Sequence, residues 1–161
     1  MNVTVNVFDP SELQRATEDL LAYFEDLENK ANRICERLAE IGKATATQGF
    51  ADAEYDGDKD VAVSVEPIQN GYAVHARGNS VLFIEFGSGS LHGYGHPEPE
   101  LYGPGTWSDG PGGKGHWQDP NGWYYKHNSK SYGNAPAQAM YDAKTEVERR
   151  AEEVANEVFN E

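Results

Sequence analysis

An apolar seam in the first third of the chain constrains the fold more than any other feature. Leu13, Thr17, Leu20, Phe24, Leu27, Ala31, Ile34, Leu38 and Ile41 recur at alternating spacings of four and three. This is a 3.5-residue repeat, the period of a helix that keeps one face against a partner. The other faces carry Glu18, Asp19, Glu25, Asp26, Glu28, Lys30, Arg33, Glu36, Arg37 and Glu40, a solvated surface. The repeat predicts one helix of about 50 Å at ~1.5 Å per residue. Asp9-Pro10-Ser11-Glu12 supplies its start, with Asp9 or Ser11 capping and Pro10 tolerated in the first turn. Gly42 weakens the helix, and Gly49 is expected to close it. Such a seam exceeds what a small sheet can cover and points to packing between subunits.

Other segments follow from their own periods. Val3, Val5 and Val7 alternate as in a short strand, and Asp52 to Asp60 reads as an acidic linker. Its Asp56-Gly57-Asp58 core lacks the spacing and terminal Glu of a calcium loop. Val61, Val63 and Val65, then Tyr72, Val74 and Ala76, alternate on either side of Gln69-Asn70-Gly71. This predicts a β-hairpin with an Asn-Gly turn and His75 on its polar face. Val81 to Phe86 is a short helix capped by Asn79 or Ser80, or a buried strand; periodicity leaves both open. The segment from Ala135 to Glu161 is helical, with Met140, Lys144, Val147, Ala151, Val154 and Val158 on one face. Asn134 and Pro136 stand where cap and first-turn roles are allowed.

Between these elements, 87–133 differs in kind. It holds all three tryptophans (Trp107, Trp117 and Trp123), Tyr124 and Tyr125, and most of the glycines, without valine or isoleucine. Disordered segments are poor in aromatics, whereas interfaces are rich in Trp and Tyr. The expectation is therefore one α+β domain over 1–161: a long N-terminal helix, a small antiparallel sheet with a hairpin, an irregular aromatic insertion at 87–133, and a C-terminal helix.

Charge and composition exclude whole classes of function. A formal charge of −14 over 161 residues leaves no basic footprint for nucleic acid. Cys35 is the only cysteine, so no internal disulfide forms, and its charged helical surroundings make it a spectator thiol. The N-terminus shows no signal-peptide pattern, and no run approaches the ~20 apolar residues of a membrane span. His92 and His96 share a helical spacing, but Gly93, Gly95 and Pro97 oppose a helix there, so no metal site is assigned. Gly87-Ser88-Gly89 lacks the Lys and Ser/Thr of a phosphate loop. Glu85, Glu98, Glu100, Asp109 and Asp119 supply carboxylates for a glycosidase, yet composition alone pairs none of them. No nucleophile constellation is present. The reading is a non-enzyme without cofactor.

Phe83–Gly89, reading Phe-Ile-Glu-Phe-Gly-Ser-Gly, resembles the core of small tail-component proteins of long-tailed bacteriophages. Gly122-Trp123-Tyr124-Tyr125 is similar to an element of the insertion that often follows in relatives from phages of Gram-positive hosts. Asn134 to Ala143 is similar to the Pro motif that opens the family's terminal helix, with Gln138-Ala139 where the family commonly has Pro-Phe. The resemblance covers nearly the whole chain, in the same order. It implies a structural virion protein acting in tail completion or head–tail joining at the neck. Its partners would be other neck and tail proteins, such as head-completion and tail-terminator proteins. It would form a homo-oligomeric ring, typically six-fold, built in the host cytoplasm and carried in the virion. Glu85, Phe86, Gly87, Gly89, Pro136 and Met140 would be structural, with Phe86 in the core and the glycines chosen for positive φ or close approach. Trp107, Trp117, Trp123, Tyr124 and Tyr125 are candidate interface residues. The rival reading is a carbohydrate-binding module on a phage tail that uses the three tryptophans.

Overall fold

The computed structural model describes residues 8–88, 93, 95–98 and 133–161, and the backbone of 125–127 and 130–132. The strand expected at Val3–Val7 lies outside them. The first element, α1, runs from Pro10 to Asp52, 43 residues or about 65 Å. Asp9 caps it by accepting from Ser11 N at 2.9 Å, and Pro10 fills the first turn.

Neither glycine ends this helix, which corrects the sequence expectation. A Cβ on Gly42 would stand 3.0 Å from Val147 Cγ2 and 3.4 Å from Val74 Cγ2. A Cβ on Gly49 would stand 2.8 Å from Ala139 Cβ and 3.0 Å from its Cα. Both positions are close helix crossings, and the helix closes instead where Ala53 N donates to Gly49 O at 3.1 Å. The buried face of α1 is also displaced from the 3.5-residue seam. Ala39, Gly42, Ala46 and Phe50 are buried, while Ile34, Leu38 and Ile41 are half-buried. A straight helix drifts ~20° per heptad from such a repeat, so the row facing the core changes along its length.

The hairpin β1 (Ala62–Ile68) and β2 (Gly71–Arg77) pairs Val63 with Ala76 and Val65 with Val74. These share the face that lies on α1. On the other face Glu66 bonds Arg77 at 2.6 Å and lies 3.6 Å from His75. The two turn residues are Gln69 and Asn70, not Asn-Gly, because Gly71 already pairs with Ile68 and alone takes positive φ, +143°.

Residues 81–85 form a short helix, α2 (Val81–Glu85), which settles the alternative left open by periodicity. Phe83 and Ile84 are fully buried in it. Asp60 anchors its start. Its carboxylate accepts from Ser80 N and Asn79 N, each at 2.8 Å, and from the Ser80 hydroxyl. Gly78 passes so close to Asp60 that a Cβ would fall 1.9 Å from its carbonyl oxygen. Asp60 therefore does more than link two elements.

A second hairpin, β3 (Tyr125–His127) and β4 (Lys130–Tyr132), pairs Tyr125 with Tyr132 inside the segment expected to be irregular. The last helix, α3 (Ala139–Asn160), starts four residues later than expected. Pro136 pushes Ala135 out of the helical region, and Gln138 at φ +58° keeps the helix from starting before Ala139. Of its predicted face, Val154 and Val158 are buried with Ala139 and Ala143, whereas Lys144 is exposed. α3 lies antiparallel on α1, from Ala139 at Gly49 to Glu161 at Arg33 and Arg37. Ala46, Phe50, Ile84, Ala139 and Ala143 form the core cluster that joins α1, α2 and α3. Among the described residues, no helix is long and apolar enough to cross a membrane.

Two tests follow from these contacts. Gly49→Ala should cost on the order of 1 kcal/mol in urea unfolding, since ~1–3 kcal/mol of overpacking against backbone exceeds the ~1 kcal/mol gained in helix propensity. Gly42→Ala, which meets only side-chain tips, should be near neutral in the same measurement. Burial pushes the Asp60 carboxyl up, but the hydrogen bonds from Ser80 and Asn79 together hold it well below the ordinary value of 3.8. A depressed folded-state pKa gives stability that is present above the unfolded value and lost as pH falls through the folded one. Unfolding free energy measured from pH 6 down to pH 2 should fall less steeply for Asp60→Asn than for the parent below about pH 4.

Candidate functional site: a buried joint at the base of the insertion

A lone acid in an apolar run must find donors, because an unpaired buried charge costs several kcal/mol. Glu85, at the end of α2, is only 2% exposed. Its Oε2 accepts from Met140 N at 2.8 Å and its Oε1 from Tyr141 N at 3.1 Å. Those are the second and third amides of α3, the ones an N-cap side chain normally serves. The residue in the cap position, Gln138, makes no side-chain cap. Glu85 therefore caps a helix that begins more than fifty residues later in the chain, and its charge sits at the positive end of that helix dipole.

His96 completes the carboxylate's shell. Its Nε2 lies 3.4 Å from Glu85 Oε1, and its Nδ1 accepts from Glu98 N at 3.1 Å. The ring proton is then on Nε2, facing Glu85. The imidazole packs on Phe86 at 4.5 Å and edge-on to Tyr141 at 5.9 Å between centroids. Both ring nitrogens are used, so His96 offers no ligand atom. Among the described residues, no group of three or more His, Cys, Asp or Glu is placed to hold a metal ion.

Gly87 turns the chain at φ +73°, and a Cβ there would meet Asn134 O at 2.6 Å and Pro136 N at 2.7 Å. This approach lets Ser88 N donate to Asn134 O at 2.8 Å. Asn134 N returns a bond to Ser88 Oγ at 3.1 Å, and the Ser88 hydroxyl donates to Asn134 Oδ1 at 2.5 Å. The Asn134 amide reaches Phe83 O at 2.9 Å and Ala135 O at 3.1 Å. Ala137 N and Gln138 N then bond Ile84 O and Glu85 O at 2.8 and 3.2 Å. The Phe83–Ser88 and Asn134–Gln138 segments thus form one joint.

Gln138 holds φ +58°, a left-handed conformation unusual for a residue with a Cβ. Its side-chain amide donates to Gly95 O at 2.9 Å and its carbonyl accepts from Asp142 N at 2.8 Å. Proline, fixed near φ −65°, cannot adopt this turn. Ala139, fully buried against Gly49, leaves no room for a larger ring. The turn therefore takes a residue other than proline at 138 and a small one at 139.

The joint closes the base of the insertion. Gly93 N bonds Phe86 O at 2.7 Å, and Glu98 pairs with Lys144 at 2.8 Å, so the first described residues of the insertion turn back onto α3. Of the residues singled out in the sequence, Glu85, Phe86, Gly87, Pro136 and Met140 meet in the joint. Tyr125 begins β3. Gly89, His92, Trp107, Trp117, Trp123 and Tyr124 lie outside the described residues, as do Glu100, Asp109 and Asp119. Sequence reasoning gave Ser88, His96, Asn134, Gln138 and Asp60 none of the roles they take here. Only the isolated acid in 81–86 signalled that something across the chain must answer it.

Chemically the joint is saturated. Glu85 has no face open to a substrate and its partners are fixed amides, which describes a fastening. A groove of about 470 Å³ between α1 and α3 lies elsewhere, walled partly by Arg37 and Glu157, which pair with each other at 3.7 Å. Glu85→Ala should destabilise the fold by about 2–4 kcal/mol, since it strands two backbone donors and the His96 ring proton. Glu85→Gln, which keeps one acceptor oxygen, should lose less; urea titrations of both variants measure the difference. No protein-family model matches the chain, and no curated protein or solved structure is similar to it.

Proposed function

We propose that this chain is a structural virion protein of a tailed phage, acting in tail completion or head–tail joining at the neck. One observation carries the reading. The two segments that resemble the tail-component family, Phe83–Gly89 and Asn134–Ala143, are separated by the insertion, yet their described residues form one hydrogen-bonded joint. A chance likeness of two short motifs would not require them to meet. The joint's saturated chemistry supports a structural role over a catalytic one.

In this reading the joint is the rigid seat from which the insertion is presented to neighbouring neck and tail proteins. Subunits would close into a homo-oligomeric ring through heterologous contacts. A net charge of −14 suits a ring around a channel, because DNA then slides past a wall that repels it. Deleting the gene in its parent phage should leave full heads beside separate tails, or tails of abnormal length, in electron micrographs of the lysate. Intact particles that fail to adsorb would overturn this and favour a carbohydrate-binding role for the tryptophans.

A further inference from the structure

The core uses only part of α1. The ion pairs of Glu161 with Arg33 and Arg37, and Phe159 under Lys30 at 5.6 Å, mark where α3 ends along it. The helix continues from there back to Pro10 with nothing described beside it. On this projecting stretch the seam is open: Leu13 is 42% exposed, Leu20 46% and Phe24 58%. Leu21 at 63% and Tyr23 at 40% widen it.

We infer that this stretch pairs with the same stretch of a second copy as an antiparallel two-helix coiled coil. This goes beyond the role in the virion and does not rest on it. Three observations select the occupant. The 3.5-residue period is that of a helix packed on a helix, which an irregular partner would not require. Five of the six acids of this stretch, Glu12, Glu18, Asp19, Glu25 and Asp26, lie off the seam and its flanks, and the sixth, Glu28, is set beside Gln14 of the copy in the register given below. Its flanks are Gln14, Ala16, Leu21, Tyr23, Glu28 and Lys30, so a strongly acidic chain meets its own copy without acid facing acid. The area also suffices: with ~150–250 Å² for an aromatic side chain and somewhat less for leucine, these five exposures sum to roughly 500 Å² per chain. Pairing then buries about 1,000 Å², where specific interfaces begin.

The direction follows from α3, which occupies the side of α1 beyond Ala31. A copy running parallel would continue into α3, while an antiparallel copy ends its helix beside the last turn of α3. The matching register sets Phe24 on the copy's Leu20, Thr17 on its Leu27 and Leu13 on its Ala31. Leu21 and Tyr23 then each lie near their own counterparts across the two-fold axis, an isologous contact.

Sedimentation of the full chain at tens of micromolar should give twice the 17.8 kDa chain mass. Phe24→Glu and Leu20→Glu should halve it with the circular dichroism of a folded chain, and Asp19→Asn should leave it unchanged. In a Cys35→Ser background, a short bismaleimide should link Leu21→Cys dimers but not Leu13→Cys, whose thiols would stand about 27 Å apart along the axis. A monomer at that concentration, a mass that Phe24→Glu and Leu20→Glu leave unchanged, or cross-linking at Leu13→Cys instead of Leu21→Cys overturns the pairing.

Discussion

The fold depends on one carboxylate answering one helix terminus. α3 begins after a left-handed residue, Gln138, and has no capping side chain of its own. Its exposed amides are served by Glu85, buried at the end of α2. The bond works in both directions. Without the amides Glu85 would be an uncompensated buried charge, and without Glu85 the helix would start with orphan donors inside the core. Because each partner requires the other, the position of α3 along α1 is set together with that of α2. The close crossings at Gly42 and Gly49 then follow, since they are the places where α1 has no Cβ to keep α3 and the hairpin away.

The surroundings reinforce this constraint. His96 and Asn134 are buried polar residues that could each have been a liability, yet every polar atom of their side chains is engaged. A saturated polar network in a low-dielectric interior fixes one arrangement, because alternatives leave some donor unmet. The left-handed turn at Gln138 is tolerated for the same reason: its backbone and its side-chain amide are all held. Asp60 repeats the logic at the other end of α2, where one carboxylate fixes the backbone of Asn79 and Ser80.

Much of the architecture was legible because it is periodic. The seam announced α1, the alternation of Val63, Val65, Val74 and Ala76 announced the hairpin, and Val154 and Val158 announced α3. What periodicity could not show was contact. Gly42 and Gly49 read as helix breakers because local propensity disfavours glycine, while tertiary approach demands it at both positions. Lys144 read as a seam residue and Ala143 did not, since a 3.5-residue count cannot tell adjacent rows of a helix apart. Within the joint, Glu85, Phe86 and Gly87 could be marked as structural through resemblance. Their partners Ser88, His96 and Asn134 could not, because hydrogen bonds between residues 46 or more apart or within an irregular segment leave no local pattern.

The closure at Ser88 and Asn134 has a consequence for how such a chain can change. The two strands of polypeptide that enter and leave the insertion are fastened to each other at its base. Residues 93, 96 and 98 are tied to the body as well, through Gly93 to Phe86, His96 to Glu85 and Glu98 to Lys144, and beyond them doubling a loop's length adds only about 0.6 kcal/mol of closure entropy. From residue 99 on the insertion is in that sense a cassette: length and composition added there, by selection or by a designer, cost little by this count, as long as the fastening at 93–98 is kept.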